Sequence, residues 1–199
     1  MQLSELIIAS NNTHKIVEIS KILSEQNIKL FSLKDFPDFP EVEETGETLR
    51  DNALIKAKAI YEKFGKASLA DDTGLFVDAL NGEPGVYSAR YSGENATYED
   101  NCKKLLENLK NVEGKERTAE FNSTLCLYIS ETEHYFFEGI VKGRIIKQSK
   151  GANGFGYDPL FIPRGFDKTY AEMPDEQKNT LSHRALALKK FKKFLSREF

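Results

Sequence analysis

Apolar and polar positions along the chain follow two different periods. Leu6-Ile7-Ile8-Ala9 is a short unbroken apolar run, which predicts a buried strand. After the polar turn Ser10 to His14, the residues Ile16, Ile19, Ile22 and Leu23 recur at helical spacing. Strand, polar turn and helix in that order predict an α/β unit. Lys29 to Leu33 reads as the next strand. Asp35 to Gly46 holds Pro37, Pro40 and a group of acids, and reads as a loop. Thr48 is placed to cap a helix whose apolar stripe is Leu49, Ala53, Ala57, Ile60 and Phe64, with Asp51 as a weaker partner than the usual Glu. Ala67 to Ala70 is a short strand predicted to end at Asp71-Asp72-Thr73-Gly74. Leu75 to Leu80 is apolar again, Asn81-Gly82 is a hairpin signal, and Pro84-Gly85 is a further turn.

Thr97 to Leu109 predicts a helix. Phe121, Ser123, Leu125, Leu127 and Ile129 alternate with Asn122, Thr124, Cys126 and Tyr128, a period of two that predicts a strand with two distinct faces. Tyr135 to Ile146 is one long strand or two short ones. Gly151 to Pro159 is a glycine-rich loop, and Leu181, Ala185, Leu188 and Leu195 mark a C-terminal helix. The pattern predicts an α/β fold with an extended central sheet.

Composition narrows the class. The chain has 199 residues, 40% hydrophobic and 30% charged, with a net charge of −3. That length fits one domain over 1–199, or two lobes around one cleft, with core enough to fold without disulfides. Cys102 and Cys126 stand alone, with no CxxC or Cys/His cluster to build a thiolate metal site, so both are expected to be buried reduced thiols. No run approaches the roughly 18 apolar residues of a membrane span. The start Met1-Gln2-Leu3-Ser4-Glu5 lacks a basic leader region, so a cytoplasmic protein with no membrane partner is expected. The acidic balance disfavours a nucleic-acid polymer as partner, which demands a basic face, but leaves room for a small polyanion.

Several segments carry chemistry. Ser10-Asn11-Asn12-Thr13-His14-Lys15 joins a strand to a helix, where free N–H groups and the positive end of the helix dipole hold phosphate, and Lys15 adds a mobile charge. It lacks the glycines of a Walker loop, and a helix cap with a solvated lysine is the alternative. The adjacent acids Asp71 and Asp72 repel each other unless a cation sits beside them. Mg²⁺ takes one or two carboxylates plus phosphate oxygens. On extended backbone the two side chains point opposite ways, so one of them faces the metal. Glu41, Glu43 and Glu44 are candidates for a second carboxylate, or a solvated acidic loop. Phe155, Gly156, Tyr157 and Asp158 combine stacking faces with close backbone approach, or simply anchor a loop. Lys178 and the triplet Ser182-His183-Arg184 supply donors for a phosphate or a base carbonyl, or a helix cap with surface charge.

Taken in order, these segments resemble the inosine triphosphate pyrophosphatase family, the Ham1-like non-canonical purine NTP pyrophosphatases. The resemblance rests on Ser10 to Lys15, Glu43-Glu44-Thr45-Gly46, Leu69-Ala70-Asp71-Asp72-Thr73-Gly74-Leu75, Pro84 to Gly93, Phe155 to Pro159 and Ser182-His183-Arg184, and it spans nearly the whole chain. It implies an elongated mixed α/β sheet with flanking helices and two lobes around a central nucleotide cleft. It implies a homodimer and Mg²⁺ as cofactor. Asp72 is then the catalytic residue that holds Mg²⁺ and helps activate water, with Glu43 or Glu44, or else Glu41, as second metal ligand. Thr73 touches substrate, and Ser10 to Lys15 bind phosphates. Phe155 to Asp158, Lys178, His183 and Arg184 surround the base. The substrates implied are ITP, dITP and XTP, cleaved to monophosphate and pyrophosphate. Two other classes compete: a non-catalytic purine nucleotide-binding protein on the same fold, and a metal-dependent nuclease.

Overall fold

The computed structural model describes residues 3–199, so Met1 and Gln2, the first residues read for a leader, lie outside the described residues. The predicted α/β order is present. The strands are β1 (Glu5–Ile8), β2 (Lys29–Ser32), β3 (Ser68–Val77), β4 (Pro84–Gly85), β5 (Thr118–Ser130), β6 (Glu133–Ile145) and β7 (Phe161–Pro163). The helices are α1 (Thr13–Leu23), α2 (Leu49–Phe64), α3 (Tyr98–Asn108), α4 (Asp175–Leu181) and α5 (His183–Glu198). The strands form a mixed sheet in the order β2-β1-β3-β5-β6-β7, with β4 paired to β3. β1 runs parallel to β2 and to β3, and β4 and β7 are antiparallel to their neighbours.

Three expectations change. β3 does not end before the acids but runs unbroken through Asp71 and Asp72 to Val77. Pro84-Gly85 is a two-residue strand rather than a turn, and closes the Asn81-Gly82 hairpin against Leu75 and Phe76. The C-terminal helix begins at His183, and a separate helix, α4, precedes it with Ser182 between them. The Thr48 cap is stronger than its spelling suggests: Thr48 and Asp51 satisfy each other's amides reciprocally.

The chain divides into two compact units. One comprises the residues up to Asp72 with 123–139 and 184–199, and the other comprises 73–122 with 140–183. In the first unit, strand alternation sorts the core into two layers. Leu6, Ile8, Leu69, Leu125 and Leu127 pack with Ile19 and Leu23 of α1 and with Leu188 and Phe191 of α5. Ile7, Ala9, Ala70, Cys126 and Tyr128 pack with Ala53, Ala57 and Ile60 of α2. Helices α1 and α5 therefore cover one face of these strands and α2 covers the other. The second unit has its own core, in which Leu75, Val77, Phe121, Ile145 and Phe161 pack with Leu105 of α3 and with Tyr170. Both thiols are buried and unpaired, Cys102 on α3 and Cys126 on β5, and burial pushes each up to about 12.

Candidate active site

The parity that sorts the core also sorts the acids. Asp71 shares the face of Leu69 and meets α1 and α5, whereas Asp72 shares the face of Ala70 and meets α2. Because β1 lies parallel to β3, with the Ala9 amide donating to the Leu69 carbonyl at 2.9 Å, the polar turn after β1 comes out beside the acids. Ligands in α/β sheets collect at such carboxyl ends of parallel strands. Asn12 caps α1, and its Oδ1 accepts from the His14 and Lys15 amides.

Asp71 is almost fully buried and accepts from Lys15, Arg184 and Ser123. Lys15 Nζ lies 2.9 Å from its Oδ2, Arg184 donates to the same oxygen through Nε at 3.2 Å and Nη2 at 3.0 Å, and Ser123 Oγ donates to Oδ1 at 2.6 Å. Burial alone would raise this carboxyl, but the charges of Arg184 and Lys15 and the Ser123 hydrogen bond hold it well below the usual carboxylate range. Arg184 also pairs with Glu18 of α1.

On the other face, Lys56 of α2 bridges two carboxylates, Asp72 Oδ1 at 2.7 Å and Glu44 Oε1 at 2.6 Å. One ammonium is thus shared between two acids. Burial raises the Asp72 carboxyl, and Lys56 and Lys15 pull it back without cancelling the rise, to which Glu44 adds. The remaining Asp72 oxygen, Oδ2, is buried with no hydrogen-bond partner among the described residues. A buried carboxylate oxygen left in this state is costly unless a cation or a proton donor meets it.

The second unit gathers the glycine-rich loop. Asp158 Oδ2 accepts from the Phe155 amide at 2.8 Å and from Lys178 Nζ at 2.7 Å. The Lys178 ammonium lies 4.8 Å above the Phe155 ring, an approach that favours the cation electrostatically. Tyr98 of α3 packs against the same ring at 5.9 Å. Gly154 has φ +73°, and a Cβ there would lie 2.1 Å from Asp158 Oδ2, so this turn requires glycine. His183 is buried and stacks on Phe121 at 4.6 Å.

The geometry sorts the sequence candidates. Asp72 and Lys15 come together with Asp71, and among the loop acids Glu44 joins them while Glu41 and Glu43 are exposed. Ser10 and Asn12 are half-buried at the start of α1, with Asn11, Thr13 and His14 exposed beside them, and Thr13 Oγ1 accepts from Lys34 at 2.8 Å. Thr73 follows Asp72 on β3 and is half-buried. Phe155, Gly156, Asp158 and Lys178 gather in the second unit. Two further base-contact candidates are held by internal contacts. Arg184 donates to Asp71 and pairs with Glu18 inside the first unit. Tyr157 is a buried anchor whose hydroxyl donates to the Ser88 carbonyl at 2.9 Å. Lys56, Ser123 and Glu18 were not foreseen. For Lys56 the signal was present: it lies three residues after Ala53 and four before Ile60, a lysine within the apolar stripe of its helix.

Comparison with known proteins identifies the family. The sequence model described as the Ham1 family matches residues 6–194. The chain belongs to the Ham1 family. It is 50% identical to the dITP/XTP pyrophosphatase of Flavobacterium johnsoniae, over 92% of this chain and 94% of that one. It is likewise 50% identical to the dITP/XTP pyrophosphatase of Geobacter sulfurreducens, over 94% of each chain. Among solved structures, the Ham1 protein of Staphylococcus aureus superposes with a TM-score of 0.88 at 42% identity, covering 98% of this chain and 100% of that one. The family match thus extends over nearly all of the described residues.

Proposed function

We propose that this chain hydrolyses the non-canonical purine nucleoside triphosphates ITP, dITP and XTP to the monophosphate and pyrophosphate, and so cleanses the nucleotide pool. The family membership and the relatives named dITP/XTP pyrophosphatase support the reaction class. The observation that carries the chemistry is the Asp72–Lys56–Glu44 cluster, one ammonium between two carboxylates with Asp72 Oδ2 buried and unpartnered, beside the polar turn that opens α1.

Water attacks the α-phosphorus, a new P–O bond forms, and the bond to the β-phosphate oxygen breaks to release pyrophosphate. The leaving group takes up negative charge, and Lys15 and Lys56 are the cations that offset it. Asp72 accepts the proton of the attacking water, a role suited to a carboxyl raised from its ordinary value. In this reading Lys178, Phe155 and Asp158 bind the purine, with Thr73 and Ser10 to Lys15 along the phosphates.

Asp72 and Glu44 would hold Mg²⁺. The fit rests on the unpartnered Asp72 Oδ2 and on an all-oxygen donor pair. No cluster of three or more His, Cys, Asp or Glu suited to a metal occurs among the described residues. Two carboxylates are nonetheless what Mg²⁺ uses when water and substrate phosphates complete its shell. When bound it polarises phosphate oxygens and lowers the pKa of water. The reading includes a cytoplasmic homodimer. No described helix is long and apolar enough to cross a membrane.

The test is a panel of nucleoside triphosphates with products identified. Pyrophosphate and IMP from ITP, dependent on Mg²⁺, are expected. IDP with orthophosphate as first products would make the protein a phosphatase, and no turnover of any triphosphate would leave a nucleotide-binding protein.

A further inference from the structure

Asn52 is an unexpected residue for its place. It sits inside α2 with 0% exposure, where asparagine is a poor helix former and its amide is costly to bury. Its backbone amide keeps the helical bond to the Thr48 carbonyl. Its side chain is directed instead at the acidic loop: Oδ1 accepts from the Gly46 amide at 2.7 Å, while Nδ2 is buried with no hydrogen-bond partner among the described residues.

The loop is shaped to this contact. A Cβ on Gly46 would lie 2.6 Å from Asp51 Cβ, 2.7 Å from Asn52 Oδ1 and 2.9 Å from the Asn52 amide nitrogen. Only glycine brings the loop backbone this close to the helix. Two residues upstream stands Glu44, whose Oε1 accepts from Lys56. Asn52 and Lys56 are four apart on α2 and share a face. One helix face therefore grips the loop twice, by its backbone at Gly46 and by its carboxylate at Glu44. The same segment carries Glu41, Glu43 and Glu47, all exposed.

We propose that Asn52 is a positioning residue for the cation site: by holding the Gly46 amide against α2 it fixes the Glu44 carboxylate beside Lys56 and Asp72, and thereby sets divalent-cation affinity. The proposal rests on the reading of Glu44 and Asp72 as the Mg²⁺ carboxylates. Nothing in it requires Asn52 to touch substrate.

Two substitutions attack the same contact from opposite sides. Asn52→Ala removes the acceptor, and Gly46→Ala pushes the loop off the helix with Asn52 intact. Mn²⁺ binding to the full chain without nucleotide is measured by electron paramagnetic resonance, and hydrogen exchange is followed over the loop that precedes α2. Both variants are expected to bind Mn²⁺ at least about tenfold more weakly, roughly 1.4 kcal/mol, with faster exchange in the loop. Their kcat for ITP should recover toward wild type as Mg²⁺ is raised, which general damage to the fold would not allow. Glu44→Gln separates the two ideas. Weakened Mn²⁺ binding in Glu44→Gln with wild-type binding in Gly46→Ala and Asn52→Ala overturns the role of Asn52 and leaves the metal reading standing. Wild-type binding in Glu44→Gln overturns the metal reading and this proposal with it. If Asn52→Ala does not fold, Gly46→Ala alone decides.

Discussion

Lys15 and Lys56 reach the same acceptor, the main-chain carbonyl of Asp71, at 3.3 and 3.1 Å. They arrive from helices on opposite faces of β3, so the one peptide unit between the two acids is where both ammonium groups converge. Two cations this close repel each other, and the carboxylates of Asp71, Asp72 and Glu44 hold them in place. An incoming triphosphate offers both lysines stronger acceptors than a carbonyl. Lys15→Ala should therefore cost kcat/KM for ITP at least about tenfold, the scale of one charged hydrogen bond at roughly 1.5–3 kcal/mol. Binding of inosine, which has no phosphate, should be unchanged. Calorimetry with inosine beside steady-state kinetics with ITP checks this, and equal losses for both would make Lys15 structural.

Asp72→Asn keeps the size of the side chain and removes its charge. Lys56 retains Glu44 as partner, so the fold should persist, with thermal unfolding still cooperative. Turnover should nearly vanish, because the amide neither takes the proton of water nor holds a cation. Retention of more than about a tenth of wild-type kcat, roughly 1.4 kcal/mol of barrier, removes Asp72 from the chemistry. Asp71→Asn acts differently. It leaves Arg184 and Lys15 short of their buried counter-ion and should destabilise the fold by about 3–5 kcal/mol, as broken buried pairs do.

How much of this was legible in the sequence depends on the distance over which each feature is determined. The alternation of β5 and the stripe of α2 are local, and they placed the core correctly. The opposite orientation of Asp71 and Asp72 followed from extended backbone alone. That β3 continues through both acids did not, because two adjacent carboxylates read locally as the end of a strand. Their compensating cations come from positions 15, 56 and 184, which only the fold brings together. The alternative of Arg184 as a surface charge fails for the same reason: Arg184 is buried against Asp71, 113 residues away. Helix α4 escaped notice because Asp175–Leu181 has a single apolar residue and so no stripe, leaving only Pro174 and the acids Asp175 and Glu176 to mark its start. β7 escaped because three residues after a glycine-rich loop carry no period.

The buried position of Asp71 predicts a particular response to acid. Its folded-state pKa lies well below its unfolded value, owing to Arg184, Lys15 and Ser123 acting against burial. The unfolded chain therefore binds the proton first as pH falls. The contribution of Asp71 is complete above the unfolded value, near pH 4, and is lost progressively below it. Urea titrations from pH 7 to pH 3 should show wild-type stability falling steeply under about pH 4. Asp71→Asn should start lower and fall less over the same interval. Parallel profiles for the two proteins would mean that Asp71 is no more strongly held in the folded chain than in the unfolded one.

ITP, dITP and XTP carry a carbonyl at purine position 6, where ATP carries an amino group. In the proposed site the cation nearest a stacking ring is Lys178, 4.8 Å from Phe155 and fixed by Asp158 at 2.7 Å. A donor held in this way suits a carbonyl and opposes an amino group, because two donors facing each other leave both unpaired. Each buried unpaired polar group costs about 1–3 kcal/mol, so two mismatches give a discrimination of roughly a hundredfold. The kcat/KM values for ITP, dITP and XTP should exceed that for ATP by about this factor at saturating Mg²⁺. GTP shares the 6-carbonyl and differs from ITP by its 2-amino group alone, so its rejection requires a penalty at position 2 and should be smaller than that of ATP. Lys178→Met, which keeps much of the stem and removes the donor, should lower kcat/KM for ITP far more than for ATP and so collapse the ratio. If wild-type enzyme cleaves ATP as efficiently as ITP, or if Lys178→Met leaves the ratio intact, the Phe155–Asp158 loop and Lys178 do not read the base.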